Sequence, residues 1–174
     1  MALDWHGVLA GASDWILVAN LPYNVATPMV ADLLDGVPEI TRFFVMVQRE
    51  VAERFVASPR TKAYGALSVK VAYWATARLV GDVPPTVFLP RPKVMSSLVE
   101  ITRRDTPGVD PAIDRERLFT LVKAGFAHRR KTLHNALAGL ADDAMLAAAG
   151  IAPSARAEEL DLAAWGRLAA EAAR

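Results

Sequence analysis

The chain has 174 residues, 53% hydrophobic and 22% charged, with a net charge of +1, no cysteine and three histidines. That much apolar material suits one globular unit, or a domain with a small appendage, and excludes disorder as the main theme. Disulfides and thiolate metal sites are ruled out, no metal centre is expected from His6, His128 and His134 alone, and no apolar run reaches the roughly 20 residues of a membrane span. The amino terminus lacks the order of a secretion signal, so a soluble, cytoplasmic protein with no membrane partner is expected.

In chain order, the apolar "WILVA" at 15–19 reads as a strand, followed by "NLPYN" and a helix from about Thr27 with Pro28 in its first turn. "RFFVMVQ" reads as a second strand and "EVAERFVA" as a second helix, which is the βαβ signature of an α/β sheet. "YGALSVKVAYWA" reads as a helix with Leu67, Val71 and Trp74 on one face. "ARLVGDV" and "KVMSSLVEITRR" then read as strands joined by the proline-rich "PPTVFLPRP", and two successive strands without a helix predict an antiparallel finish to the sheet.

At Asp105 the texture changes. Residues 105–113 carry turn formers and read as a linker between a first domain over 1–104 and an alanine- and leucine-rich helical domain over 114–174, with Asp114 capping its first helix. Leu118, Val122, Phe126, Leu133 and Leu137 fall near one helical face, which predicts a single helix with Lys123, Arg130, Lys131 and His134 on its other sides. A shorter helix from Asp142 ends at Gly150, and Ser154 and Asp161 can cap the last two segments.

Charge is unevenly spread. Arg103-Arg104 and the run His128-Arg129-Arg130-Lys131 make local basic clusters, and local potential matters more to a polyanion than the total does. Solvated helix faces are the equal alternative for each cluster.

"NLPYN" sets an amide, a constrained backbone and an aromatic ring at the end of a strand. Ligands of open α/β sheets bind beyond the carboxyl ends of strands. An exocyclic amine on a nucleobase is a poor nucleophile, because its lone pair is delocalised into the ring. Acceptors aimed at its N–H groups counter that, and Asn20 Oδ1 with the carbonyl of Leu21 or Pro22 could be those acceptors. Tyr23 could stack on an extruded base, for about 1–3 kcal/mol. The competing reading is a turn in which Asn20 caps the helix and Tyr23 belongs to the core.

The segments "NLPYNVATPMV", "VQREVAERFVASPRTKAYGALSV", "VPPTVFLPRPKVMSSLVEI", "FAHRRKTLHNAL" and "RAEELDLAAWGRLA" together resemble the ribosomal RNA adenine dimethyltransferases, in the family's order and over nearly all of residues 15–170. The resemblance implies a partial class I, Rossmann-like methyltransferase sheet followed by a small all-α domain. It implies dimethylation of adenosines in small-subunit ribosomal RNA, with S-adenosylmethionine as donor, rRNA and the immature small subunit as partners, and no obligate protein partner. Asn20, Leu21, Pro22 and Tyr23 would form the target-base site, with Asn20 also near the donor and Phe88 facing the adenine from the side opposite Tyr23. Arg91, Lys93, Lys123, Arg129, Arg130 and Lys131 would contact RNA, while Gln48, Glu50, Arg60 and Lys62 fall in a matching segment of less certain role.

One departure is large. The family's glycine-rich loop after a first strand, and its acids for the donor's ribose and adenine, have no counterpart here, and the ten glycines contain no G-x-G pair. The expectation is a chain corresponding to the carboxy-terminal part of such an enzyme, with a hydrophobic strand edge exposed and S-adenosylmethionine bound weakly or not at all. The alternative of a different class is a non-catalytic RNA- or ribosome-binding module. A DNA adenine methyltransferase with an Asn-Pro-Pro-Tyr type of motif is disfavoured by the carboxy-terminal matches.

Overall fold

The structure is a computed structural model and describes residues 3–128 and 130–172. Its helices are α1 (Trp5–Val8), α2 (Ala26–Gly36), α3 (Arg49–Val56), α4 (Ala66–Trp74), α5 (Arg115–Ala127), α6 (Leu133–Ala136), α7 (Asp143–Ala148) and α8 (Leu162–Glu171). Its strands are β1 (Trp15–Asn20), β2 (Ile40–Gln48), β3 (Ala75–Val83) and β4 (Ser96–Arg103). The chain divides into two compact units, residues up to 56 with 74–105, and 57–73 with 106 onward.

The first unit is built on one sheet in the order β1-β2-β4-β3. β1 pairs parallel to β2, while β4 runs antiparallel to both β2 and β3, so the last strand in sequence is inserted between two earlier ones. Along β2 the alternation is regular, with Phe43, Val45 and Val47 fully buried, as a strand with one covered face requires. A register shift between Leu79 and Gly81 sets an extra residue in β3, and Val80 there is exposed. Among the described residues β1 pairs only with β2, and its Ile16 and Val18 are 47% and 72% exposed. That is the exposed apolar edge strand expected from the sequence.

α2 follows β1 directly, with Pro28 in its first turn, where a missing N–H costs no bond. Its carboxyl end is held by Arg103 on β4. The guanidinium donates to the carbonyls of Leu33, Leu34, Val37 and Ile40 at 2.9 to 3.1 Å, sharing those of Leu33 and Val37 with the amides of Val37 and Ile40. Arg103 also lies over the Trp74 ring, and Trp74 Nε1 donates to Asp35. Arg103 is therefore an internal cap, which corrects its reading as part of a nucleic-acid patch.

The second unit is helical. Leu118, Leu121, Val122, Leu133, Leu137, Leu146, Trp165 and Leu168 are buried in it, each aliphatic side chain contributing about 1.5–3 kcal/mol on burial. Gly125 makes room for Trp165, because a Cβ there would stand 2.6 Å from the indole. The expected boundary near 105 is one crossing between the units, but residues 57–73 belong to the second unit, not to the first as expected. The reason is local: Tyr64 packs edge-on against Phe126 and donates to the Leu160 carbonyl, and Tyr73 packs edge-on against Phe119. Burial, with the Asp161 carboxylate adding, pushes the Tyr64 hydroxyl up to about 12, so it remains a donor throughout the neutral range. In α4 itself Ser68, Val69, Val71 and Tyr73 are the buried residues rather than the predicted Leu67, Val71, Trp74 face.

The single helix predicted through Leu137 is instead two. α5 stops at Ala127 and α6 starts at Leu133. Thr132 adopts an extended conformation before α6, so the backbone leaves the helical path between the two. Breaking there still buries Leu133 and Leu137 alongside Leu118 and Val122. Asp114, Asp142 and Asp161 cap their helices, accepting from the amides of Glu116, Met145 and Ala164. Ser154 does not cap: the turn at 157–159 is instead held by Glu159, which accepts from the Arg156 amide.

Candidate active site

The carboxyl ends of β1 and β2 and the start of β4 lie at one rim of the sheet, because Asn20 pairs with Met46 and Gln48 with Ser96. Beyond Asn20 the ladder continues for one bond, from the Leu21 amide to the Met46 carbonyl at 3.1 Å. The chain then turns. Pro22 O accepts from the amides of both Val25 and Ala26, at 3.1 and 3.0 Å.

Those two bonds decide which carbonyl a ligand can use. Pro22 O is engaged in starting α2, so the sequence reading that left it free is corrected, whereas Leu21 O accepts no hydrogen bond among the described residues. The Asn20 amide is exposed at the strand end and has no partner among them either. It does not cap α2, whose preceding residue Val25 provides no side-chain cap. Tyr23 is half-buried, and its hydroxyl lies 3.1 Å from Ser96 Oγ, a side chain only 1% exposed.

Residues 84–95 arch from the end of β3 to the start of β4, stiffened by Pro84, Pro85, Pro90 and Pro92. The arch brings Phe88, Pro90 and Pro92 to the turn after β1. Together with Asn20, Leu21, Pro22 and Tyr23 they line one open cleft of about 290 Å³. All five residues picked from the sequence as the base site thus share one cleft, although Phe88 is far from the others in the chain. The lining carries no charged side chain. It offers two unengaged acceptors beside aromatic and proline surface, a combination suited to a flat heterocycle with an exocyclic N–H donor.

Sequence reasoning missed the supports of this arch. Ser97, fully buried, donates to Asp82 Oδ1 at 2.6 Å, and Asp82 pairs with Arg49, whose amide donates to the Met95 carbonyl. Ser96 and Ser97 therefore hold opposite faces of the β4 start, one to Tyr23 and one to Asp82. The signal was present as two adjacent serines opening the strand.

A family model described as "Ribosomal RNA adenine dimethylase" matches residues 10–174. The chain belongs to the ribosomal RNA adenine dimethylase family. Among its relatives, "Ribosomal RNA small subunit methyltransferase A" of Cutibacterium acnes is 52% identical over 163 residues, covering 89% of the chain and 55% of that protein. The protein of the same name from Kineococcus radiotolerans is 48% identical over 167 residues, covering 93% and 55%. The chain thus spans about half the length of these curated relatives. Two solved structures share the fold: a dimethyladenosine transferase from Plasmodium falciparum, with TM-score 0.75 at 21% identity over 88% of the chain and 64% of that one, and the 23S rRNA methyltransferase ErmE, with TM-score 0.68 at 24% identity over 96% and 70%. The α/β, Rossmann-like methyltransferase fold is therefore established.

The basic residues singled out in the sequence lie outside the cleft. Arg91 and Lys93 are exposed on the proline arch, Lys123 is exposed on α5, and Arg130 and Lys131 are exposed in the turn between α5 and α6 rather than on a helix as expected. Arg129 lies outside the described residues. Gln48 ends β2 at the site rim as expected, but Glu50 belongs to α3 and pairs with Arg54. Arg60 sits in the second unit with φ 68°, its amide donating to the Glu158 carbonyl. Among the described residues no acidic or imidazole cluster could hold a metal, and no helix is long and apolar enough to cross a membrane.

Proposed function

We propose that this chain supplies the target-base half of an S-adenosylmethionine-dependent enzyme that dimethylates adenosine amines in small-subunit ribosomal RNA. One observation carries the reading. An amide oxygen and a carbonyl oxygen without other partners stand in the same cleft as Tyr23 and Phe88.

The adenine amine would donate its N–H groups to Asn20 Oδ1 and Leu21 O. Both acceptors draw the amine out of conjugation with the ring and leave its lone pair free to attack, and the Leu21 carbonyl is positioned before the base arrives by the bond from its own amide to Met46. Tyr23 and Phe88 hold the ring by stacking, and the Ser96 contact sets the orientation of Tyr23. No general base is needed, since the nitrogen becomes acidic once alkylated and can release its proton afterwards. The donor supplies an electrophilic methyl group. Of the cleft's residues Asn20 suits a contact with it, but no carboxylate is present for its ribose, and the volume suits one ring rather than an extended ligand. That shortfall favours a second reading, an RNA-binding module that transfers nothing by itself.

Arg91, Lys93, Lys123, Arg130 and Lys131 would bind rRNA phosphates, with the immature small subunit in the cytoplasm as the natural setting; the names of the relatives support rRNA as the substrate. The test is Asn20→Ala in the full-length protein of this family. Loss of most methyl transfer with rRNA affinity nearly unchanged is expected. Full turnover by that variant overturns the assignment.

A further inference from the structure

The tip of the proline arch carries a side chain that the base cleft does not use. Leu89 is 99% exposed and Val87 is 63% exposed, while Phe88 between them turns into the cleft. Leu89 is flanked on the other side by Pro90, which also lines the cleft, and then by the exposed cations Arg91 and Lys93. A single exposed leucine on a protein surface needs no explanation. This one is held away from the protein by a segment with a proline on either flank, next to a ring that faces the base, and near two free positive charges. Leucine at that place buries nothing in the unit it belongs to.

Extruding a base from a stacked strand leaves a gap between its neighbours, and the cost of that unstacking is lowered when an apolar side chain fills the gap. We propose that Leu89 is this wedge: as the adenine enters the cleft, Leu89 takes its place between the adjacent bases while Arg91 and Lys93 meet the flanking phosphates. The partner is an RNA strand with stacked bases. The inference rests on the base-site reading and adds a residue that acts on the RNA rather than on the adenine. The arch suits the task because its prolines restrict its backbone, so little conformational freedom is lost when the tip inserts.

The experiment uses the 174-residue chain and an RNA hairpin in which 2-aminopurine, fluorescent when unstacked, replaces one loop base at a time beside an adenosine left intact as the target. Leu89→Ser is expected to weaken binding by about fivefold or more and to abolish the fluorescence change that accompanies extrusion. Leu89→Met, which keeps length and apolarity, is expected to retain both. The melting temperature should not move in either variant, which separates the proposed role from a structural one. If Leu89→Ser binds and signals like the parent chain while Tyr23→Ala is impaired, the wedge is overturned and the base site stands. If Tyr23→Ala and Phe88→Ala also match the parent, or the parent binds no RNA, the base-site reading fails and the wedge with it. A change confined to self-association, seen by sedimentation, would assign Leu89 to a protein contact and overturn the proposal.

Discussion

The Tyr23 hydroxyl and Ser96 Oγ, 3.1 Å apart, tie the turn that follows β1 to the first residue of β4. The two ends of this bond are not equivalent. Ser96 is buried and Tyr23 is half-buried, so removing the tyrosine hydroxyl strands a desolvated serine, whereas removing the serine hydroxyl leaves a phenol that water can reach. Tyr23→Phe should therefore destabilise by about 1–3 kcal/mol and Ser96→Ala by only about 0.5–1.5 kcal/mol. Urea unfolding of the two variants and their double would measure this, and equal single costs would mean that Ser96 finds another partner.

Arg103 makes four hydrogen bonds to carbonyls at the end of α2 and the start of β2. A lysine ammonium has three donors on a point and cannot reproduce a planar fork. Arg103→Lys should cost about 2–3 kcal/mol, not much less than Arg103→Ala, because the Leu34 and Ile40 carbonyls lose the guanidinium in both, while those of Leu33 and Val37 keep the amides of Val37 and Ile40. Burial lowers the guanidinium pKa, opposed by the carboxylates of Asp35 and Glu39, without neutralising it. RNA affinity should be unchanged in stable preparations of Arg103→Lys. A loss of affinity would return this side chain to the surface patch.

His6 Nδ1 lies 2.8 Å from Glu39 Oε1, joining α1 to the turn before β2. The hydrogen bond to Glu39, then its charge, raises the His6 pKa above 6.5, and the bond to His6 lowers that of Glu39 below 4.5. The stabilisation through His6 is fully present below pH 6.5 and is lost as pH rises through its raised folded value. That through Glu39 is present above pH 4.5 and is lost as pH falls through its lowered folded value. The contact should thus be strongest between the two ordinary values. Proton NMR titration of the His6 ring should give a raised midpoint that falls in Glu39→Gln; an identical midpoint in both would remove the contact.

Gly125 and Gly36 both lie in helices, yet they should respond oppositely to alanine. A Cβ at Gly125 meets Trp165 at 2.6 Å and Ala157 at 3.4 Å, and the buried indole cannot swing aside. Gly125→Ala should cost about 1–3 kcal/mol through overpacking. At Gly36 nothing lies within 4 Å, and alanine should be neutral or stabilise by about 0.4–1 kcal/mol. Thermal melts of the two variants would show both effects, and a neutral Gly125→Ala would mean that the helices yield.

The strands were legible in the sequence because their signals are local. β2 carries an unbroken apolar run of strand length, and the absence of a helix between β3 and β4 announced their antiparallel pairing. Asn20, Leu21, Pro22 and Tyr23 were legible from their chemistry at a strand end, whereas Phe88 was legible only through the resemblance to a family. What local reading could not supply was the use of polar groups across distance. The Ser96 and Ser97 contacts depend on which strands become neighbours, and the engagement of Pro22 O depends on how tightly the turn closes. The helix misread across 128–131 has a different cause. Leu133 and Leu137 fall at helical spacing from Phe126, so apolar periodicity alone could not see that the helix stops between them.

The insertion of β4 between β2 and β3 also fixes the order in which the cleft can come into being. As the chain emerges during synthesis, β3 is complete before the strand that will pair with it exists, and the turn after β1 must wait for Ser96 from much later in the chain. Contacts of such long sequence separation form late, because the intervening loop must be closed before they repay its entropy. A growing chain released before residue 103 can therefore carry the whole "NLPYN" sequence and still present no cleft. Whatever ligand the cleft takes, it is met only by a chain whose sheet is finished.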